Sequence, residues 1–377
     1  MIEWISMNSQ LFLLILFGLI TLVILLYHLL IFAKFSFHKA VKIKNVDLLP
    51  VSIVISARNE AHHLIKTLPL LLEQQYNNYE VVVVNDNSND ETEQVIRDFM
   101  VRYTNLKLVN LTSSVTNIQG KKFPLSIGIK SASHELLLLT DADCAPSSPY
   151  WLINMAKHFK NKTSIVLGYS TTEKRSSFMN LFSHFDNLQV AISYFSYALA
   201  KMPHMGIGKN LAYTRTLFYE RKGFASHNHI HYGDDDIFIN KIANSENCDI
   251  EYYKEAFTIS RYKPGLANWF HQKIRYQLTS RHYKKSHKFL LRNYSLFSLL
   301  FYVAFGFALC YSIGSILFLS LTLGVFLLKT GIQYLIFGLA AKKLEERQVI
   351  PFILLFDILY VIIYPFICIA SLFSRHK

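Results

Sequence analysis

Long apolar runs without charged side chains occupy both ends of this chain. The first covers residues 11–32 and contains one histidine and no formally charged residue. A helix needs about 20 apolar residues to cross a bilayer, so this run predicts a membrane-spanning helix. The preceding MIEWISMNSQ has no basic residue, and no small-residue cleavage site follows the run, which argues against a cleaved signal peptide. We therefore predict that residues 1–33 form a retained N-terminal transmembrane anchor.

The apolar pattern returns after residue 293. Residues 294–328 are too many for one crossing and contain CYSIGS (residues 310–315), a predicted tight turn, and the second arm extends to Ala341. A further apolar run covers residues 349–373. The alternative is a buried helical core, but uncharged runs of this length are rare in soluble domains. We predict about three C-terminal transmembrane helices within residues 294–373.

Basic residues indicate how these helices are oriented. They cluster after the first span, before the second, and between the third and fourth. The clusters are Lys34, Lys39, Lys42 and Lys44; Arg281, Lys284, Lys285, Lys288 and Arg292; and Lys342, Lys343 and Arg347. With four spans all three clusters lie on one side, which the positive-inside rule makes cytoplasmic. The middle of the chain, residues 45–290, is therefore predicted to face the cytoplasm.

The middle of the chain alternates predicted strands and helices. The strands are VSIVIS (51–56), VVVV (81–84), LKLVNL (106–111) and LLLLT (136–140), and helical patterns lie between them. Nearly continuous apolar strands joined by helices are typical of a parallel sheet covered on both faces, so the predicted class is α/β. In such sheets ligands bind beyond the carboxyl ends of the strands.

Three polar clusters follow three of these strands: ARNE, NDNSND and TDAD. Asp141 and Asp143 leave the fourth strand one residue apart. Two carboxylates at a strand exit can point to a common site, and oxygen ligands suit Mg2+ or Mn2+. The motif alone is short, and acids after a strand also start turns. Its position beside the two other clusters favours a binding site for an anionic ligand.

Charge and cysteine content narrow the function classes. The formal net charge is +13, which suits anionic lipid, an anionic substrate or nucleic acid. The positive charge lies beside the apolar runs and forms no groove-reading element, so we predict no nucleic-acid partner. The cysteines are widely separated and form no CxxC pair, which fits a reducing compartment without a zinc site; they are Cys144, Cys248, Cys310 and Cys368.

An ordered series of motifs resembles the membrane-anchored family 2 glycosyltransferases, which are inverting enzymes. The series is VSIVISARNE, VVVVNDNSND, GKKFPLSIGIKSA, LLLLTDADC, GIGKN, GDDDI and QKIRY, over roughly residues 50–283. This resemblance implies a GT-A fold, a Rossmann-like nucleotide-diphospho-sugar transferase domain. It also implies a UDP- or GDP-sugar donor and a divalent cation, Mg2+ or Mn2+.

The resemblance assigns donor-side and metal-binding roles. Donor binding falls to Glu60, Asp86, Lys121, Asp141 and Arg275. Asp143, with Asp141, is the implied metal ligand. Two points stay open here. The neighbouring Lys122 is an alternative phosphate contact to Lys121, and Asn85 stands where the family pattern usually has Asp, so the base preference is undetermined.

The resemblance also implies a base and an acceptor side. GDDDI aligns with the pattern Glu-Asp-x-Asp-Leu, which makes Asp234 the general base that deprotonates the acceptor hydroxyl. Gly233 departs from the usual Glu, so Asp235 remains a possible substitute. Adjacent carboxylates repel one another, which can raise a pKa. The implied acceptor-side residues are Gly208, Asn210, Gln272 and Tyr276, with Tyr276 in place of the usual Trp.

Two function hypotheses follow. The first is an inverting, metal-dependent glycosyltransferase that moves a sugar to a lipid-linked or glycan acceptor, as an integral protein of the bacterial inner membrane with a cytoplasmic catalytic domain in contact with membrane lipid. The second is a membrane-anchored nucleotide-binding scaffold or transport component. The lone intramembrane acid Asp357 is the best feature of the transport hypothesis, but four spans without acid clusters argue against a transport path.

Overall fold

The computed structural model describes residues 2–39, 48–111, 120–160 and 162–374. The N-terminal segment consists of α1 (Ile2–Leu26), a π-helical stretch (Tyr27–Phe32) and α2 (Ala33–Phe37), which run on without a break. Lys42 and Lys44 of the first basic cluster lie outside the described residues. The helix therefore extends past residue 33, because Lys34 continues it beyond the apolar run.

A mixed α/β domain follows. Its strands are β1 (Val51–Ala57), β2 (Tyr79–Asp86), β3 (Leu106–Leu111), β4 (Leu136–Leu139), β5 (Cys144–Pro146), β6 (Ile165–Leu167), β7 (Ser170–Thr172), β8 (Leu211–Thr214), β9 (Cys248–Ile250) and β10 (Thr258–Ser260). Its helices are α3 (Ala61–Leu72), α4 (Thr92–Met100), α5 (Lys122–Ser131), α6 (Trp151–Ala156), α7 (Phe178–Leu199), α8 (Arg215–Glu220), α9 (Asp236–Ile242) and α10 (Leu266–Ser280), with 3-10 turns at Ala225–His227 and Lys254–Ala256.

Three long helices complete the chain: α11 (Lys285–Ser312), α12 (Ile316–Lys343) and, after a 3-10 turn at Arg347–Phe352, α13 (Ile353–Phe373). The predicted tight turn separates α11 from α12. Together with the N-terminal segment, the described chain has four helices long and apolar enough to cross a membrane. This confirms the predicted number. However, α11 begins at Lys285, ahead of residue 294, because its first two turns are basic and therefore invisible to a hydropathy pattern.

The main sheet has the order β3-β2-β1-β4-β8-β6-β9. Its first four strands are parallel, and β8 runs antiparallel to both β4 and β6. β4 is buried along its whole length, as a strand covered on both faces must be. Strand order reverses at β1, which pairs with β2 on one side and β4 on the other. This switch point leaves a crevice at the carboxyl ends of the strands, where ligands bind in such sheets.

Helix α7 joins the domain to the predicted membrane helices. Phe35 of α2 packs on Phe195 with ring centroids 5.0 Å apart, and Phe356 of α13 packs on Phe185 at 5.5 Å. These rings belong to one buried cluster that runs from the sheet through α7 into α12 and α13. Aromatic pairs of this kind add packing energy beyond the area they bury. The α/β domain therefore packs on the long helices through a shared apolar core.

The buried His158 lies beside the edge strand β9 and makes the stability of the fold depend on pH. His158 contacts Asp249 through Nδ1 at 2.8 Å and Glu251 through Nε2 at 2.9 Å. Burial alone would lower the pKa of His158, but the two carboxylates outweigh it and the net pKa is raised. The stability contributed by its charge is therefore present below the unfolded-state pKa and lost as pH rises through the folded-state pKa.

We expect His158→Gln to destabilise the protein more at about pH 6 than at about pH 8, because only the histidine carries a titrating charge there. The measurement is chemical unfolding of both proteins in detergent at the two pH values. Equal destabilisation at both pH values would show that folding does not raise the pKa of His158.

Candidate active site

One cavity of about 1400 Å³ lies at the carboxyl ends of the parallel strands. Glu60 after β1, Asp86 at the end of β2, and Asp141 and Asp143 after β4 all line it. Residues much later in the sequence also line the cavity. The segment before α9 and helix α10 contribute Asp234, Asp235, Gln272, Arg275 and Tyr276. Lys121 and Gly208 are the remaining predicted residues that line it. The fold thus brings together residues that are up to 216 positions apart.

Asp141 and Asp143 lie beside lysines. Lys121 Nζ is 2.8 Å from Asp141 Oδ1, and Lys263 Nζ is 3.6 Å from Asp143 Oδ2. Burial alone would raise the pKa of Asp141, but the charge of Lys121 outweighs it and the net pKa lies below its ordinary value. Asp141 is therefore an ionised carboxylate at neutral pH, and the lysines around it suit a site for phosphate groups.

The possible metal-ligand atoms after β4 fit a hard divalent cation. Ligand atoms of Asp141, Asp143 and Cys144 lie within 4.8 Å of one another. Cys144 is buried, its thiol donates to Asp143 Oδ1 at 3.5 Å, and burial raises its pKa well above the ordinary value. A protonated thiol is a poor ligand, so the two carboxylates are the groups suited to Mg2+ or Mn2+.

Of the three successive acids at the start of α9, residues 234–236, Asp234 is the one with a free carboxylate. No other described residue donates a hydrogen bond to it. Burial raises its pKa, the charge of Lys121 opposes this, and the charge of Asp141 adds to it. A carboxylate with a raised pKa and open lone pairs is suited to accept a proton.

The other two acids hold the local structure. Asp235 accepts the N–H of Gly208 at 2.7 Å and the N–H of Asp236 at 2.7 Å, and so caps α9. Asp236 is buried and accepts the hydroxyls of Tyr283, at 2.9 Å, and Thr279. Burial raises the pKa of both acids, with the neighbouring charges adding to the effect for Asp235. Because the Asp235 carboxylate already accepts two N–H groups, these contacts favour Asp234 over Asp235 as the predicted base.

Helix α10 presents the QKIRY residues to the cavity. The guanidinium of Arg275 lies 5.4 Å from the centre of the Tyr232 ring, and Gln272 Nε2 donates to the Tyr276 hydroxyl at 3.2 Å. Lys273 of the same helix pairs with Asp186 of α7 at 2.5 Å, and both residues line the cavity. The residues predicted at the donor phosphate and acceptor side therefore share one helix face.

Asn210 is placed differently from the rest of the predicted set. It is fully buried, and its amide nitrogen donates to the carbonyls of Tyr169 and Ala256, both at 2.8 Å. Its oxygen accepts the indole N–H of Trp151 at 3.1 Å. These bonds join Asn210 to the residue before β7, to the 3-10 turn before β10 and to α6, so Asn210 supports the cavity wall and does not line it.

Several cavity residues were missed by the sequence reasoning. Asp186 on α7 accepts from Trp269 Nε1 at 3.1 Å and pairs with Lys273, forming a buried ion pair at the cavity wall. Arg261 follows β10 and contacts His63 at 2.6 Å, which in turn contacts Glu60 at 2.5 Å. The segment SRYKPG (260–265) carried the only available signal for Arg261 and Lys263, namely basic residues directly after a short β-branched run.

Comparison with known proteins identifies a matching family model and similar proteins. Residues 52–221 match the family described as "Glycosyl transferase family 2"; the match includes Asp141 and Asp143 and ends before Asp234. The chain is 31% identical over 132 residues to a poly-beta-1,6-N-acetyl-D-glucosamine synthase of Staphylococcus epidermidis, an overlap of 34% of this chain and 30% of that protein. It is 34% identical over 139 residues to the dolichyl-phosphate beta-glucosyltransferase ALG5D of Trichomonas vaginalis, covering 34% of this chain and 41% of that protein.

The chain thus spans about a third of the length of these curated relatives. Among solved structures, a mannosyltransferase from Pyrobaculum calidifontis in complex with GDP-Man and Mn2+ superposes with a TM-score of 0.54 at 19% identity, over 92% of this chain and 99% of that one. At this identity the likeness shows the fold alone. The predicted fold class is confirmed: the chain carries a glycosyl transferase family 2 domain of the GT-A type, flanked by helices able to span a membrane.

Proposed function

We propose that this protein transfers a sugar from a nucleoside-diphosphate donor to an acceptor hydroxyl, with inversion and with a divalent cation. One observation carries the proposal. Ionised Asp141 and the free carboxylate of Asp234 line the same cavity, and Lys121 interacts electrostatically with both. A donor diphosphate held beside Asp141 would place its sugar toward Asp234.

The residues of the chain divide the chemistry between them. Asp234 accepts the proton of the acceptor hydroxyl as that oxygen attacks the anomeric carbon, and the bond from that carbon to the diphosphate oxygen breaks. The leaving diphosphate gains negative charge, which Lys121, Lys209, Lys263 and Arg275 on the cavity wall are positioned to stabilise. A divalent cation, held by Asp143 and Asp141, would neutralise further diphosphate charge. Attack from the face opposite the leaving group inverts the sugar.

The acceptor proposed here is lipid-linked or a glycan. Helix α10 reaches from the cavity to α13, since Arg281 donates to Ser371 at 2.9 Å and the Tyr364 hydroxyl donates to Gln277 at 3.2 Å. An acceptor anchored in the membrane therefore has a short path to the cavity. The names of the two relatives describe one enzyme that makes a glycan and one that acts on a lipid phosphate, so both acceptor types are kept.

The proposed location follows from charge. The basic clusters at Lys34 and Lys39 and around the start of α11 flank the α/β domain in the sequence. With four spans, the cluster at the end of α12 lies on the same side of the membrane as these two. By the positive-inside rule the catalytic domain would be cytoplasmic, in a bacterial inner membrane.

The test is transfer by the purified full-length protein in detergent, with Mn2+, a set of UDP- and GDP-sugars, and a lipid extract as acceptor source. We expect Asp143→Ala to reduce transfer at least about 10²-fold, because loss of an electrostatic contact to the transition state costs this much or more. The matched control is Asp98→Ala, which changes an exposed acid on α4 whose carboxylate accepts from Gln94.

The two hypotheses give different results in this experiment. Full turnover by Asp143→Ala would contradict the metal-binding role. Donor binding by the wild type, with no transfer or hydrolysis in any extract, would instead support the nucleotide-binding scaffold.

A further inference from the structure

Lys122 is a buried lysine that the proposed chemistry does not use. It is the first residue of α5, its side chain is 2% exposed, and its ammonium donates to the carbonyls of His227 at 3.0 Å, Ile230 at 2.5 Å and Tyr232 at 2.6 Å. A lysine ammonium has three N–H donors, and each has an acceptor here. All three acceptors belong to one loop, residues 227–232, which we call the base loop.

The base loop leads directly to the acid that is proposed as the base. Tyr232 is followed by Gly233, whose φ of +94° turns the chain, and then by Asp234. His227 Nε2 donates to the Gly233 carbonyl at 3.0 Å, which closes the loop on itself. The position of the Asp234 carboxylate therefore depends on how this loop is held.

The loop also packs closely on the start of α5. Gly120 has φ of +95°, and a Cβ at that position would lie 2.6 Å from the carbonyl oxygen of His231. The two neighbouring lysines at this point diverge: Lys121 reaches Asp141, and Lys122 reaches the base loop. The start of α5 thus contacts both the donor-side acid and the loop that carries the base.

We propose that Lys122 is a positioning residue, which fixes the base loop against α5 and so sets Asp234 relative to the donor held at Asp141. This inference rests on the proposed transferase function for its effect on turnover. Its structural part, the anchoring of residues 227–232, stands independently of that function. It also separates the two lysines that the sequence left as alternatives for the donor phosphate.

The charge of Lys122 matters because a neutral amine has only two N–H donors and turns a lone pair toward the third carbonyl. Burial lowers its pKa to about 8. The groups that face it are Asp234, Asp235 and Asp236, which favour the ammonium, Lys241, which opposes it, and the imidazole of His227, whose own pKa is lowered mainly by burial and further by Lys122. Raising the pH through this range therefore removes one anchor of the base loop.

The experiment compares wild type, Lys122→Met, Lys122→Arg and Lys130→Met, all as full-length protein in detergent. Lys130→Met is the matched control, since Lys130 is an exposed lysine in the last turn of the same helix. Backbone amide exchange of residues 227–233, corrected for intrinsic rates, is measured at about pH 7 and about pH 9, on either side of the Lys122 pKa. Turnover and donor KM are measured at the same pH values.

We expect Lys122→Met to speed exchange of the base loop at both pH values and to lower kcat on the order of 10²-fold with donor KM nearly unchanged, since a displaced catalytic group costs about this much. Wild type and Lys130→Met are expected to show the same amide exchange, which is faster in the base loop at about pH 9 than at about pH 7 after correction for intrinsic rates. Lys122→Arg stays charged at both values, so its loop exchange is expected to lose that pH dependence.

Unchanged base-loop exchange in Lys122→Met would overturn the proposal, as would a fall in kcat that leaves loop exchange unaffected. If Lys122→Met fails to fold, the comparison of wild type with Lys122→Arg at the two pH values decides, and equal pH dependence in both contradicts the anchor. If wild type shows no transfer from any donor, the proposed function fails, and the exchange data still test Lys122.

Discussion

Replacing Asp234 by Asn is expected to lower the rate of sugar transfer about 10²- to 10⁴-fold, because a general base contributes this much to a proton-transfer step. Asparagine keeps the shape of the side chain and cannot accept the proton. Donor affinity should change little, since Asp234 has no hydrogen-bond donor among the described residues and its loss leaves none unpaired. The measurement is steady-state transfer with donor KM determined separately.

The pH dependence gives a second readout of the same residue. The base must be ionised to work, and burial raises the pKa of Asp234 above its ordinary value. Wild-type turnover should therefore fall on acidification at a higher pH than an ordinary carboxyl would give. Residual activity of Asp234→Asn should lack this acidic limb.

Two variants serve as controls for this prediction. Asp98→Asn removes an exposed acid of α4 and should keep full turnover and the wild-type pH profile. Asp235→Asn keeps an oxygen that can accept from Gly208 and should retain most of the turnover. The opposite outcome, a nearly inactive Asp235→Asn beside an active Asp234→Asn, would assign the base to Asp235.

The largest expected effect on stability is at Glu346, in the turn between α12 and α13. This carboxylate is fully buried, pairs with His184 at 2.8 Å, and accepts the hydroxyls of Tyr169 at 2.8 Å and Thr171 at 2.6 Å. Burial alone would raise its pKa, but the hydrogen bond and charge of His184 and the two hydroxyls outweigh it, and the net pKa is lowered. Glu346 therefore fixes the helical part of the chain to the α/β domain as a buried, ionised group.

We expect Glu346→Ala to lower the free energy of unfolding by about 3–5 kcal/mol, because removal of one partner leaves buried polar groups uncompensated. Glu345→Ala is the matched control, because the adjacent Glu345 is exposed and its ion pair with Arg347 is 3.9 Å long. Chemical unfolding in detergent at neutral pH measures both. Equal stability of the two variants would show that the Glu346 contacts are not formed.

The lowered pKa of Glu346 also predicts how its contribution to stability changes as the pH falls. A carboxylate with a lowered folded-state pKa contributes stability above its unfolded-state pKa, and loses it as pH falls through the folded-state value. The difference in unfolding free energy between wild type and Glu346→Ala should therefore shrink on acidification.

The first half of the α/β domain could be predicted from the sequence because its strands carry strong signals. β1 and β2 are seven and eight residues long and nearly uninterrupted in apolar character, which is typical of strands covered on both faces. In contrast, β5, β6, β7, β9 and β10 have three residues each, too few to show a period. Their pairing depends on contacts that are distant in sequence.

The candidate site divides in the same way. Asp141, Asp143 and Asp234 were found because each follows a recognisable pattern at a predictable place. Asp186 was not, because a single acid in a long apolar helix has no local signal, and its partner Lys273 is 87 residues further along the chain. Adjacent lysines 121 and 122 gave no indication that they serve different groups, since the direction of a side chain at the start of a helix depends on what packs there.

A one-step displacement at the anomeric carbon, with Asp234 as base, determines the anomeric configuration of the product. Wild-type protein would be supplied with an α-linked nucleotide sugar that it accepts, and the linkage of the first transferred sugar would be determined by NMR. Direct displacement predicts a β-linked product. An α-linked product would contradict the account, because it requires either a double displacement or a same-face mechanism.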